Sequence, residues 1–143
     1  MIQSPKTALA IVKLGLYGIE PATRAAEQGN LDKALALFGN AALGKKTFEN
    51  MSQTRKKQAS ENLCRQELLG SGFLPIDQEK LKKIPHQVLF LSGIESPKIY
   101  KYLIKRLVAC IPSAKHLQIK CASHIIQEDN PEEFNLAVLS FLD

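Results

Sequence analysis

The chain has 143 residues, 45% of them hydrophobic, which suits one ordinary domain with a single core and argues against two large independent ones. Its 19 Lys and Arg against 14 Asp and Glu give a net charge of +5, a mild excess that favours solubility. The basic residues are scattered and no nucleic-acid motif or aromatic platform accompanies them, so no nucleic-acid partner is expected.

At the amino end, the apolar stretches Ala8 to Val12 and Leu14 to Leu16 are separated by Lys13, and no small-residue cleavage site follows. Neither a signal peptide nor a membrane span is expected, since a span needs ~20 apolar residues. From about Thr7 to Lys83 the pattern reads as helical. Leu31, Ala34, Leu35, Phe38 and Ala42 recur at helical spacing, with Asn30 in front as a cap for the free amides of the first turn. Ser52 is a second cap, opening a polar helix that runs through Gln58 and Leu63 to Leu69 and stops at Gly70, Ser71 and Gly72. Lys56, Lys57 and Arg65 on that helix are expected to form a solvated face.

The pattern changes at Ile84 and Pro85. Gln87 to Ser92 is a continuous apolar run of strand length, and such runs suit a parallel strand covered on both faces. Ser96 and Pro97 read as a cap and a first-turn proline, followed by Tyr100, Leu103, Ile104, Leu107, Val108 and Ile111 on one helical stripe that Pro112 ends. Lys115 to Cys121 reads as a second strand, and a strand, helix, strand order makes the two strands parallel. Asn130, Pro131 and Glu133 then supply a cap, a first-turn proline and an acidic third position, opening a helix with the apolar stripe Phe134, Ala137, Val138, Phe141 and Leu142. The expected organisation is a helical region over 1–84 and a β-α-β-α unit over 85–143, together one compact domain. The fold class is α/β.

Chemistry centres on His124, which lies just beyond the carboxyl end of the second strand, where open α/β sheets put their working residues. Glu95 follows the first strand, and neighbouring parallel strands bring such turns together, so its carboxylate could orient the imidazole. The alternative is that Glu95 only adds negative charge near the amino end of the helix after Pro97. Cys121 and His124 form a lone Cys-x-x-His pair without the further ligands of a zinc site, so no metal and no cofactor is expected. Gly70-Ser71-Gly72 lacks the following Lys and Ser or Thr of a phosphate loop. Lys98, Lys101 and Lys105 are expected to face water. Cys64, Cys110 and Cys121, an odd number at wide spacing, read as buried, reduced thiols, which fits the cytoplasm.

Val88 to Gly93, Ser96-Pro97, Leu107 to Pro112, Ala122-Ser123-His124 and Asn130-Pro131 to Leu142 together resemble the carboxyl-terminal end of an α/β-hydrolase. The resemblance implies that these are the last two core strands, with the catalytic histidine on the turn after the last one. Upstream, Gly29-Asn30 through Ala34 and Phe38, Gly44, Phe48 and the helix carrying Glu61-Asn62 resemble the helical cap that many such hydrolases insert. The family's first strands, oxyanion loop and serine elbow are then expected upstream of Met1. Its acid is commonly an aspartate on the turn where this chain has Glu95 and Ser96.

No Gly-x-Ser-x-Gly elbow occurs anywhere in the sequence, and Ser123, beside His124 at a strand end, is expected to point elsewhere. Without a nucleophile in reach a general base has no proton to take. The expectation is therefore a truncated or split relative of serine hydrolases acting on ester-like acyl bonds, inactive alone. It would need a complementary amino-terminal half or self-association, with a small ester-like substrate only once completed. The alternative is a non-enzymatic interaction protein that binds a partner through its remnant sheet and helical surface, since an open strand edge recruits other strands.

Overall fold

A computed structural model of the protein describes residues 5–63, 68–70 and 76–143. The chain forms two compact units, Met1–Pro75 and Ile76–Asp143. Cys64, Arg65, Ser71 and Gly72 lie outside the described residues.

The first unit is helical. Helix α1 (Pro5–Leu14) runs through a wide π turn, Gly15–Ile19, into α2 (Glu20–Glu27). Pro21 accounts for the wide turn: it has no N–H to give and its ring crowds the carbonyl four residues back, so the regular ladder cannot continue. The Glu20 N–H bonds instead to the Gly15 carbonyl. Helix α2 ends at Gly29, whose φ of 75° lets its N–H reach Ala26 O and lets the Asn30 N–H reach Ala25 O, both at 2.9 Å. Asn30 then caps α3 (Leu31–Leu43), its side chain accepting from the Lys33 N–H at 3.1 Å. Helices α4 (Lys45–Asn50) and α5 (Gln53–Asn62) follow, and Ser52 caps α5 through the Arg55 N–H at 3.2 Å.

Small residues bring this unit together. Ala22, Ala25, Ala26 and Ala34 are buried with Leu35 and Phe48, so α2 and α3 can approach closely. Phe48 packs on Gly39, where a Cβ would lie 2.3 Å from a ring carbon. Lys57 is exposed as expected, but Lys56 is not simply solvated. Its ammonium stands 5.1 Å from the centre of the Phe48 ring and donates to Glu49 O at 3.1 Å.

The second unit has the expected α/β order. Helix α6 (Gln78–Lys82), capped by Asp77, leads to β1 (Val88–Gly93), α7 (Lys98–Cys110), β2 (Ala114–Ile119), the single turn α8 (Ile126–Asp129) and α9 (Pro131–Leu142). The strands pair in parallel from Val88 with Ala114 through Gly93 with Ile119. Three details differ from expectation. Ser96 does not cap α7; its N–H closes a turn onto Gly93 O at 3.2 Å, Pro97 takes the cap position, and the Ser96 hydroxyl is buried with no hydrogen-bond partner among the described residues. Strand β2 ends at Ile119, so Cys121 lies in a turn, exposed, with a φ of 49°, and Cys110 is only half-buried; both are free thiols. Leu142, expected on the buried stripe of α9, is 72% exposed. Lys98, Lys101 and Lys105 are exposed. No helix among the described residues is long and apolar enough to cross a membrane.

Candidate active site

The carboxyl ends of β1 and β2 meet at Gly93. A Cβ on Gly93 would lie 2.0 Å from Ser123 O and 2.2 Å from Ala122 O, so only glycine lets the turn after β2 pass so close to the end of β1. Beyond the paired residues, the Ile94 N–H donates to Ile119 O at 3.0 Å and the Glu95 N–H to Ala122 O at 2.9 Å. The turn carrying Glu95 and the loop carrying His124 are thus joined backbone to backbone.

That loop is tied down again by the start of α9. The Asn130 side chain accepts from the Glu133 N–H at 3.2 Å, as its position before Pro131 implies, and donates to Lys120 O at 3.0 Å. The Glu133 carboxylate does not return to the cap's own amide. It accepts from the Lys120 N–H at 2.9 Å, so both backbone groups of Lys120 are gripped by α9. Within the loop, Ser123 is buried and points away from solvent, its N–H and hydroxyl both donating to Asp129 Oδ2. Both of its donors are thus engaged by Asp129.

His124 itself stacks on Tyr100 of α7, with ring centres 3.7 Å apart and planes 14° from parallel. Burial of that side of the ring lowers its pKa from the ordinary 6.5, because the charged form loses hydration, while its outer edge stays open to solvent. Glu95 is exposed, and among the described residues its carboxylate forms neither a hydrogen bond nor an ion pair; the structure joins the two turns without joining these two side chains.

Two groups at this end of the sheet escaped the sequence reading. Tyr100 looked like one more member of an apolar stripe, but it lies in the first turn of α7, just beyond the carboxyl end of β1, and its ring meets His124 there. Ser92 and His116, far apart in sequence, meet across the strands with Oγ and Nε2 2.8 Å apart. The parallel register predicts that meeting, since Phe90 pairs with His116 and Ser92 follows two residues later on the same face. The pair is exposed and lies within the strands, with no third group orienting the imidazole among the described residues. Nor do the described residues include a cluster of His, Cys, Asp or Glu able to hold a metal ion.

No protein-family model matches the sequence, and no curated protein matches it either. Solved structures do. MenH from S. aureus superposes with a TM-score of 0.65 at 18% identity, over 95% of this chain and 53% of that one. Carboxylesterase CesB (YbfK) from Bacillus subtilis superposes with a TM-score of 0.53 at 21% identity, over 97% of this chain and 46% of that one. A further Bacillus subtilis structure gives 0.54 at 17% identity, over 98% and 46%. These structures share the α/β-hydrolase fold. The chain has the fold of the carboxyl-terminal part of an α/β-hydrolase. It spans about half the length of these hydrolase-fold structures.

Proposed function

We infer that this chain is a hydrolase-like component in which His124 is the general base for acyl transfer to water, with the serine nucleophile supplied by residues outside these 143. The observation that carries this reading is the placement of His124: in the loop after β2, which is joined by backbone hydrogen bonds to the turn after β1, with its ring held by stacking on Tyr100. In the completed site the serine would attack the acyl carbon and pass its proton to His124. The imidazole would return that proton to the departing alkoxide, and a water activated by the same ring would release the acid. The sequence has no Gly-x-Ser-x-Gly elbow, so the isolated chain is inactive under this reading. Glu95 is the carboxylate available to orient the ring once a partner closes the site. An ester is the natural probe, since one structural neighbour is a carboxylesterase. A reducing cytoplasm suits the free thiols of Cys110 and Cys121.

A second reading, a non-enzymatic interaction protein, draws on a different observation. Leu117 of β2 and Leu136 and Leu139 of α9 are 48 to 67% exposed, apolar side chains that a partner could cover. The two readings separate on one experiment. The coding DNA upstream of Met1 is translated in every frame and searched for a strand, Gly-x-Ser-x-Gly, helix pattern. Finding it supports the hydrolase component; finding none, together with a stable monomer that hydrolyses no ester, supports the interaction protein.

A further inference from the structure

Resting on the reading of His124 as the proton-transfer residue, we propose that Asp129 is its positioning residue, fixing the imidazole by way of Ser123. Asp129 Oδ2 accepts the Ser123 backbone N–H at 2.7 Å and the Ser123 hydroxyl as well. Bonds to an ionised oxygen are roughly twice as strong as neutral ones. Ser123 is 6% exposed, so its donors cannot turn to water if the carboxylate is removed. Its Oγ also lies 3.5 Å from the Ile125 N–H, a weak contact that brings the residue after His124 to the same anchor.

Asp129 is itself held. Its N–H bonds to Ile125 O at 3.0 Å, closing α8, and the next residue, Asn130, grips Lys120 at the start of the loop. The segment from Lys120 to Asn130 is therefore closed on itself around His124, with the Asp129 carboxylate as its inner tie. Tyr100 supplies a complementary constraint. A stacked ring fixes the plane of the imidazole but not the direction in which its nitrogens point within that plane. That direction follows from the backbone at His124, and the backbone is set at Ser123. A general base must lie within ~2.6–3.2 Å of the proton it takes, and a misplacement of about 1 Å can cost ~10²-fold in rate. The tie has to be this close to the histidine to matter.

The rival explanation is that Asp129 merely staples a surface loop. Proton NMR of the 143-residue chain separates the two, because the His124 ring protons lie over the Tyr100 ring and are shielded by it. In Asp129→Ala the shielding of His124 is expected to fall while the amides of Val88 to Leu91 keep their protection from exchange. In Asp129→Asn, whose amide oxygen can still accept the Ser123 N–H, most of the shielding should remain. A His124 resonance unmoved in Asp129→Ala, with the Ser123 amide displaced, overturns the proposal. Should Asp129→Ala fail to fold, Ser123→Ala removes the hydroxyl donor alone and is expected to shift His124 in the same direction by less. No shift in that variant is equally fatal. The readout needs no turnover, so it fails or holds independently of the hydrolase reading. In a completed enzyme, Asp129→Ala is expected to lower kcat about 10²-fold with KM unchanged, and loss confined to KM would count against it.

Discussion

In the amino-terminal unit, Ala22, Ala25, Ala26 and Ala34 are only 0 to 4% exposed, whereas in the carboxyl-terminal unit Leu117 of β2 and Leu136, Leu139 and Leu142 of α9 are 48 to 72% exposed. Helices α2 to α5 close a core by bringing small side chains into contact around Phe48. Exceptions in that unit are Leu9 and Val12 of α1 and Leu16 and Tyr17 of the π turn after it, all at least half exposed. The carboxyl-terminal unit buries less and is fastened differently. Its order at the strand ends comes from backbone approach at Gly93 and from side chains that grip backbone, those of Asp129, Asn130 and Glu133. One region is held by packing, the other at its strand ends by hydrogen bonds.

The sharpest way to break that contrast is to add a methyl group to each region. Gly93→Ala meets two backbone carbonyls of the loop after β2, one of which already accepts the Glu95 N–H, and a loss of about 3 kcal/mol is expected in urea denaturation. Gly39→Ala meets a Phe48 ring that can swing, and alanine favours the helix by about 1 kcal/mol over glycine, so a net loss of about 1–2 kcal/mol is expected. Equal losses would mean that the end of β1 is as yielding as a side-chain core.

The caps sharpen the same contrast. Asn130→Ala removes the cap of α9 together with the tie to Lys120 O, and about 2 kcal/mol should be lost. Asn30→Ala removes one cap bond and should cost about 1 kcal/mol. A pair of denaturation curves showing the reverse order would remove the special role given to Asn130.

The smallest effect expected is one of pH. Because folding lowers the pKa of His124, the unfolded chain binds the proton more readily. The stability contributed by neutral His124 is therefore present above the ordinary value of 6.5, falls as the pH drops through it, and stops falling below the lowered native value. His124→Phe keeps an aromatic ring against Tyr100 and should flatten this part of the pH profile. An unchanged slope in that variant would assign the dependence to other groups.

Legibility from sequence divides along the same line. Asn30, Ser52 and Asn130 could be read as caps because a cap is local chemistry, a side-chain oxygen within three residues of a free amide. The strand, helix, strand order could be read because Val88 to Leu91 is too short and too apolar for an exposed helix. Ser96 misled for a physical reason: a serine before a proline has the composition of a cap, but the turn onto Gly93 O turns its hydroxyl inward. The stack of Tyr100 on His124 joins the first turn of α7 to the loop after β2, a tertiary contact that periodicity does not encode. Asp129 was hidden because its partner Ser123 lies across the loop, at a spacing with no local pattern. The position of His124 after β2 was legible; what holds it there was not.

The decisive measurement is ester hydrolysis by this chain mixed with the amino-terminal half of an α/β-hydrolase that carries a serine elbow, ideally the one encoded upstream if it exists. Turnover that neither part gives alone, lost by at least about 10²-fold in His124→Ala, is the expected result. Turnover that persists undiminished in His124→Ala would contradict the role given to the histidine.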